Sequence, residues 1–110
     1  MDAIGQSALA EALDRMWLQY LPQMEERVAI LEASAAAFVA KELTLTQHEA
    51  AKGAAHKLAG VLGTFGLTKG TVLAREAEIL YSGEPEDDPS LGPRLTTIAA
   101  ELRVIVANRK

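Results

Sequence analysis

The sequence predicts an all-α fold, an antiparallel up-down-up-down four-helix bundle with an additional short N-terminal helix. Three observations carry that expectation. Twenty of the 110 residues are Ala and fifteen are Leu, both strong helix formers, against five aromatics in total. Apolar residues recur at steps of three and four along most of the chain. The segments marked in this way are joined by short connections, which make successive helices antiparallel neighbours. A chain of 110 residues fits one domain, residues 1–110, and its 49% apolar content excludes disorder for the bulk of it.

The first helix is expected over residues 7–20, with Ser7 as N-cap and Leu9, Leu13, Met16, Trp17 and Tyr20 at helical spacing. Pro22 then breaks or kinks the chain and opens a second helix, which ends near Leu43. Met24, Val28, Leu31, Ala35 and Phe38 form its apolar stripe. In the third helix, residues 46–66, Thr46 and Glu49 match a capping box and glycines gather near the end. The fourth runs from about Leu67 to Tyr81, with Leu73, Ala77 and Leu80 inward, and stops at Ser82 and Gly83. The acidic stretch 84–89 is the one clear loop of any length. Ser90 is expected to cap the last helix, whose stripe is Leu91, Leu95, Ile98, Leu102 and Ile105. Basic Arg103, Arg109 and Lys110 suit the negative end of its dipole. The first, shorter helix would cover one end or side of the bundle made by the other four.

Several function classes are excluded or disfavoured. A net charge of −4 argues against the basic face of a nucleic-acid binder. The absence of Cys removes disulfides and thiolate metal sites. No apolar run approaches the roughly 18 residues of a membrane span, so no membrane insertion is expected. The acidic N-terminus lacks the apolar core of a signal peptide, so a cytoplasmic location is expected.

The third helix carries the chemistry. On a wheel of about 100° per residue, Ala51, Ala54, Ala55, Leu58, Val61, Leu62 and Phe65 form one apolar stripe, and His56 falls about 140° from Ala51. Gly53, Gly60 and Glu49 lie beside His56, with Lys52, Ala59 and Gly63 on the flank. Each glycine inside an exposed helix costs about 1 kcal/mol relative to Ala, so a bare strip around one imidazole needs a reason. A partner that must bring a reactive atom to the ring supplies one. Close packing of another helix against the glycines is the competing explanation, and the apolar stripe on the opposite side weighs against it. His48 and His56 are eight residues apart, about 12 Å along the axis and too far to share a metal ion, so no metal site is expected. His48, in the first turn, reads as a solvated surface residue. The run Gly-Thr-Phe-Gly-Leu-Thr-Lys-Gly-Thr fails as a phosphate loop, because Thr68 precedes Lys69 and no strand leads in.

Between Ala55 and Leu67 the sequence resembles the histidine-containing phosphotransfer (HPt) domain of two-component phosphorelays. His56, Leu58, Gly60, Gly63 and Gly66 match its motif, which is similar to H-x-L-K-G-x-x-G-x-x-G. The resemblance implies that His56 is the phosphoacceptor, exchanging a phosphoryl group with a receiver-domain aspartate or a histidine kinase. It implies a covalent carrier and not a full enzyme, with no cofactor of its own and Mg²⁺ on the receiver partner. The attacking atom would be Nε2. One departure is visible: the lysine common three residues after the histidine is Ala59 here. Phosphoryl support and docking are then expected from Lys52, on the His56 side, and from Gly53, Lys57, Ala59, Gly60, Gly63 and Lys69, the last lysine and Lys57 only from the flanks. Two alternatives stay open on the sequence. One is a helical protein-docking domain without phosphotransfer; the other is the phosphoacceptor domain of a chemotaxis-type kinase.

Overall fold

A computed structural model describes residues 3–83 and 88–109. Those residues form four helices and no strand: α1 (Ala3–Val39), α2 (Leu45–Thr64), α3 (Thr68–Ser82) and α4 (Leu91–Asn108). Each helix packs on the next and α4 closes the ring onto α1, leaving α1 and α3, and α2 and α4, diagonal across the core. Contacts between neighbours run antiparallel: Glu32 meets Arg103, Glu76 meets Arg94, and Gly63 faces Thr71. The bundle is the one the helical spacing predicts.

Burial of the expected stripes holds it together from Trp17 onward, whereas Leu9, Met16 and Tyr20 of the expected first helix are exposed. Met24, Val28 and Leu31 of α1, Leu58 and Leu62 of α2, and Ile98 and Leu102 of α4 are fully buried. Each such side chain contributes about 1.5–3 kcal/mol by leaving water. Four buried alanines of α2, at 51, 54, 55 and 59, let its neighbours approach closely.

The expected N-terminal helix is not separate. It forms the first turns of α1, which runs on for 37 residues with Pro22 inside it. The proline ring removes one backbone donor, the partner of the Leu18 carbonyl. Leu18 and Pro22 both lie on the exposed face, so water can satisfy that carbonyl and the helix continues. At a rise of about 1.5 Å per residue, α1 accounts for the 55 Å long dimension of the molecule. Its N-terminal half is tied down through buried Trp17, which meets Phe65 edge to face at 5.1 Å. The Arg109 guanidinium lies 5.1 and 5.2 Å from those two ring centroids and donates to Asp14 at 2.9 Å.

Boundaries shift where capping chemistry decides. The second expected helix stops at Val39 rather than Leu43, because Lys41 takes φ +59° and the Lys41 and Glu42 amides bond back to Phe38 and Ala37. α2 begins two residues early: Thr44, not Thr46, is the N-cap, and its box partner is Gln47, not Glu49. Both boxes fit the sequence, and the earlier one adds hydrogen-bonded residues to the helix. Ser90 caps nothing with its side chain; its amide and hydroxyl both donate to the Asp88 carboxylate, at 2.9 and 2.7 Å. Arg103 and Arg109 serve tertiary ion pairs with Glu32 and Asp14 rather than the helix dipole. Lys110 and residues 84–87 of the acidic connection lie outside the described residues. Among the described residues, no helix is long and apolar enough to cross a membrane.

Candidate functional site

The α2–α3 hairpin sets the site, and its turn explains one glycine of the motif. Gly66 adopts φ +72°, its amide bonds to the Gly63 carbonyl, and the Leu67 amide bonds to the Leu62 carbonyl. This double bond pattern ends α2 and needs a residue that tolerates a left-handed backbone. Gly66 therefore serves the turn. With the hairpin so tight, residues equidistant from Leu67 face each other across α2 and α3.

His56 stands on that face with 70% of its side chain exposed. Its Nδ1 lies 2.7 Å from Oε2 of Glu78 on α3. An ionised carboxylate only accepts, so Nδ1 carries the hydrogen and the neutral ring keeps its lone pair on Nε2. Glu78 thus sets both tautomer and orientation, and leaves the outer nitrogen open. No motif in the sequence marks Glu78. A signal was present, since His56 and Glu78 are each eleven residues from Leu67.

The glycines separate into groups. A Cβ built on Gly53 or Gly60 would meet nothing within 4 Å, so no neighbouring helix packs on either position. The close-packing explanation fails for these two. Gly63 differs, because a Cβ there would come 3.4 Å from Thr71 Oγ1. Ala59 is not a flank residue: it is buried at 2% exposure, and its carbonyl accepts from Thr71 Oγ1 at 3.4 Å. Gly70 of α3 was not singled out by the sequence and is the tightest glycine, with Leu62 Cδ1 only 2.9 Å from its would-be Cβ.

The lysines also separate. Lys52 is half-buried one turn before His56 on the same side of α2. Lys57 lines a groove toward α1 with Gly53, Glu26 and Arg27. Lys69 is one heptad before Glu76, whose carboxylate binds Arg94 of α4, so it shares the α4 side of α3 and stands away from His56. His48 is not a solvated residue, because its side chain is only 18% exposed and its ring meets Tyr81 edge to face at 6.1 Å. Among the described residues no group of three or more His, Asp and Glu could hold a metal ion.

Comparison with known proteins adds three findings. A family model described as "Hpt domain" matches residues 15–105. The chain is similar to protein RcaC of Microchaete diplosiphon, at 34% identity over 91 residues, which is 83% of this chain and 14% of that protein. No solved structure matches.

Proposed function

Because this chain belongs to the Hpt domain family, whose members are phosphorelay intermediates, we propose that it carries a phosphoryl group on Nε2 of His56, exchanged with the aspartate of a receiver domain. The observation that carries the reading is the His56–Glu78 contact, an exposed imidazole whose inner nitrogen is held by a carboxylate at 2.7 Å.

The chemistry follows from that contact. The Nε2 lone pair forms the N–P bond while the O–P bond of a partner's aspartyl phosphate breaks, and the partner recovers its carboxylate. No proton has to leave, because Nδ1 keeps its hydrogen and goes on donating it to the Glu78 carboxylate. The ring becomes cationic as the bond forms, and the adjacent carboxylate stabilises that developing charge. Return transfer reverses each step. Gly53 and Gly60 leave the approach clear, which supports docking over α2 and α3 and accounts for the helix stability they forgo. Mg²⁺ belongs with the receiver on this reading, and the carrier's own residues supply only the nucleophile and its surroundings.

Incubation with a phosphorylated receiver domain should leave acid-labile, base-stable phosphate on the chain. His56→Gln should abolish the label and, since the position faces water, change stability by no more than about 0.5 kcal/mol. Label persisting in that variant would move the acceptor elsewhere and overturn the assignment.

A further inference from the structure

The motif's usual cation is missing from α2, and α3 offers one in its place. Position 59 is a buried alanine, Lys57 turns toward α1, and Lys69 sits on the α4 side. Arg75 lies across the hairpin from Ala59, each being eight residues from Leu67. It is three residues before Glu78 and four after Thr71, the two α3 residues that touch the exposed edge of α2, so it shares their face. Its axial distance from Glu78 is about 4.5 Å. The side chain is exposed and, among the described residues, makes no hydrogen bond or ion pair, unlike Arg94, Arg103 and Arg109. Gly60, on the other side of His56, carries no side chain to crowd the ring, and a Cβ there would meet nothing within 4 Å.

We infer that Arg75 supplies the cation that holds the phosphoryl oxygens on His56, doing from α3 what a lysine at position 59 would do from α2. This rests on His56 being the acceptor. A guanidinium suits the task, because its forked donors match two phosphoryl oxygens at once and its charge does not titrate away. In the structure Glu78 engages Nδ1 of His56 and forms no ion pair with Arg75, so the guanidinium is available. Arg75 would thus act at one edge of the imidazole and Glu78 at the other: the carboxylate favours the cationic ring, and the guanidinium favours the anionic group attached to it. Lys52, on the same side of α2, is the alternative cation, so it belongs in the same experiment.

The test uses potassium phosphoramidate as a chemical donor, which needs no partner protein: its N–P bond breaks, ammonia leaves, and the phosphoryl group passes to the imidazole. Labelling rate and phosphohistidine lifetime are followed by ³¹P NMR in the intact chain. Arg75→Ala should slow labelling or shorten the lifetime by roughly three- to tenfold, the scale of one partly exposed charge-assisted contact, and Arg75→Lys should recover part of the loss. Added salt should shrink the gap between wild type and Arg75→Ala. Because Arg75 is exposed and unpaired, the melting temperature of both variants should match wild type, which excludes a folding defect as the cause. Wild-type behaviour of Arg75→Ala with His56 still labelled would overturn the inference and leave the acceptor assignment standing. So would a larger loss in Lys52→Ala than in Arg75→Ala. Absence of phosphate from His56 in the wild-type chain would overturn both.

Discussion

The two histidines of α2 carry the same side chain into opposite surroundings. His56 projects into water with a carboxylate on one nitrogen, whereas His48 leans against the Tyr81 ring with less than a fifth of its side chain exposed. Of the two rings, that of His56 is by far the more accessible to an incoming phosphorus. Tyr81 itself has an unusual position, because its hydroxyl is buried and has no hydrogen-bond partner among the described residues. Burial pushes its phenol up to about 12 from the ordinary 10.0. A buried donor without a partner costs about 1–3 kcal/mol, so Tyr81→Phe should leave stability at neutral pH unchanged or raise it by about 1 kcal/mol. The pH dependence has a definite sign. Above pH 10 the unfolded chain loses the Tyr81 proton while the folded chain keeps it, so wild-type stability falls as pH rises from 10 toward 12. Tyr81→Phe should lack that component. Chemical denaturation of both proteins at pH 7 and between pH 10 and 11 checks this, and parallel curves would show that the hydroxyl is solvated.

At the scale of elements, equal glycines do unequal things. Gly60 has open space around it, so Gly60→Ala removes only a helix-interior glycine and should stabilise the bundle by about 0.5–1 kcal/mol. Gly60→Glu should fold nearly as well but lose phosphotransfer, because a carboxylate one turn from His56 obstructs and repels the phosphoryl group. Gly70→Ala should behave in the opposite way. Its new methyl would sit 2.9 Å from Leu62 Cδ1 and 3.3 Å from Ile105 Cγ2, and such overpacking costs about 1–3 kcal/mol. Thermal melts of the three variants beside a transfer assay distinguish a docking strip from a packing contact. The wheel drawn from sequence already separated Gly60 from the apolar stripe, because helical period alone fixes which side of α2 a residue occupies. Gly70 stayed hidden, because its constraint comes from Leu62 on α2 and Ile105 on α4, and no local pattern reports neighbours that distant in sequence.

On the scale of the whole molecule, α4 is fastened to both of its neighbours by arginines. Arg103 donates to Glu32 of α1, Arg94 to Glu76 of α3, and Arg109 to Asp14 of α1. The hydrogen bond from Arg103 holds the Glu32 carboxyl below its usual 4.5, and Arg94 does the same for Glu76. A carboxylate whose folded pKa is depressed contributes stability above the unfolded value and loses it as pH falls through the folded one. The bundle should therefore weaken on acidification below about pH 4.5, more steeply than the double variant Glu32→Gln/Glu76→Gln. Both pairs are roughly 40% exposed, so water screens them, each contributes modestly, and salt should reduce that contribution further. Denaturant midpoints from pH 3 to 6, at low and high salt, measure this; identical acid slopes would remove the two pairs from the account.

The sequence by itself determined the helical class, the stripes that became the core, the exposure of His56 and the bare strip beside it. These follow from local period and propensity, which act within one or two turns. It also contained both candidate capping boxes at the start of α2, but choosing between them depended on where α1 ended. Tertiary structure decided what lies opposite what. Register across the hairpin brought Glu78 to His56, set Arg75 across from Ala59, and turned Lys69 toward α4. Contact with the Tyr81 ring drew His48 out of water, and the exposed setting of Pro22 let α1 run through it. Each of these depends on the spacing and rotation of one helix against another, and that relation is set by packing the whole core rather than by any short run of residues.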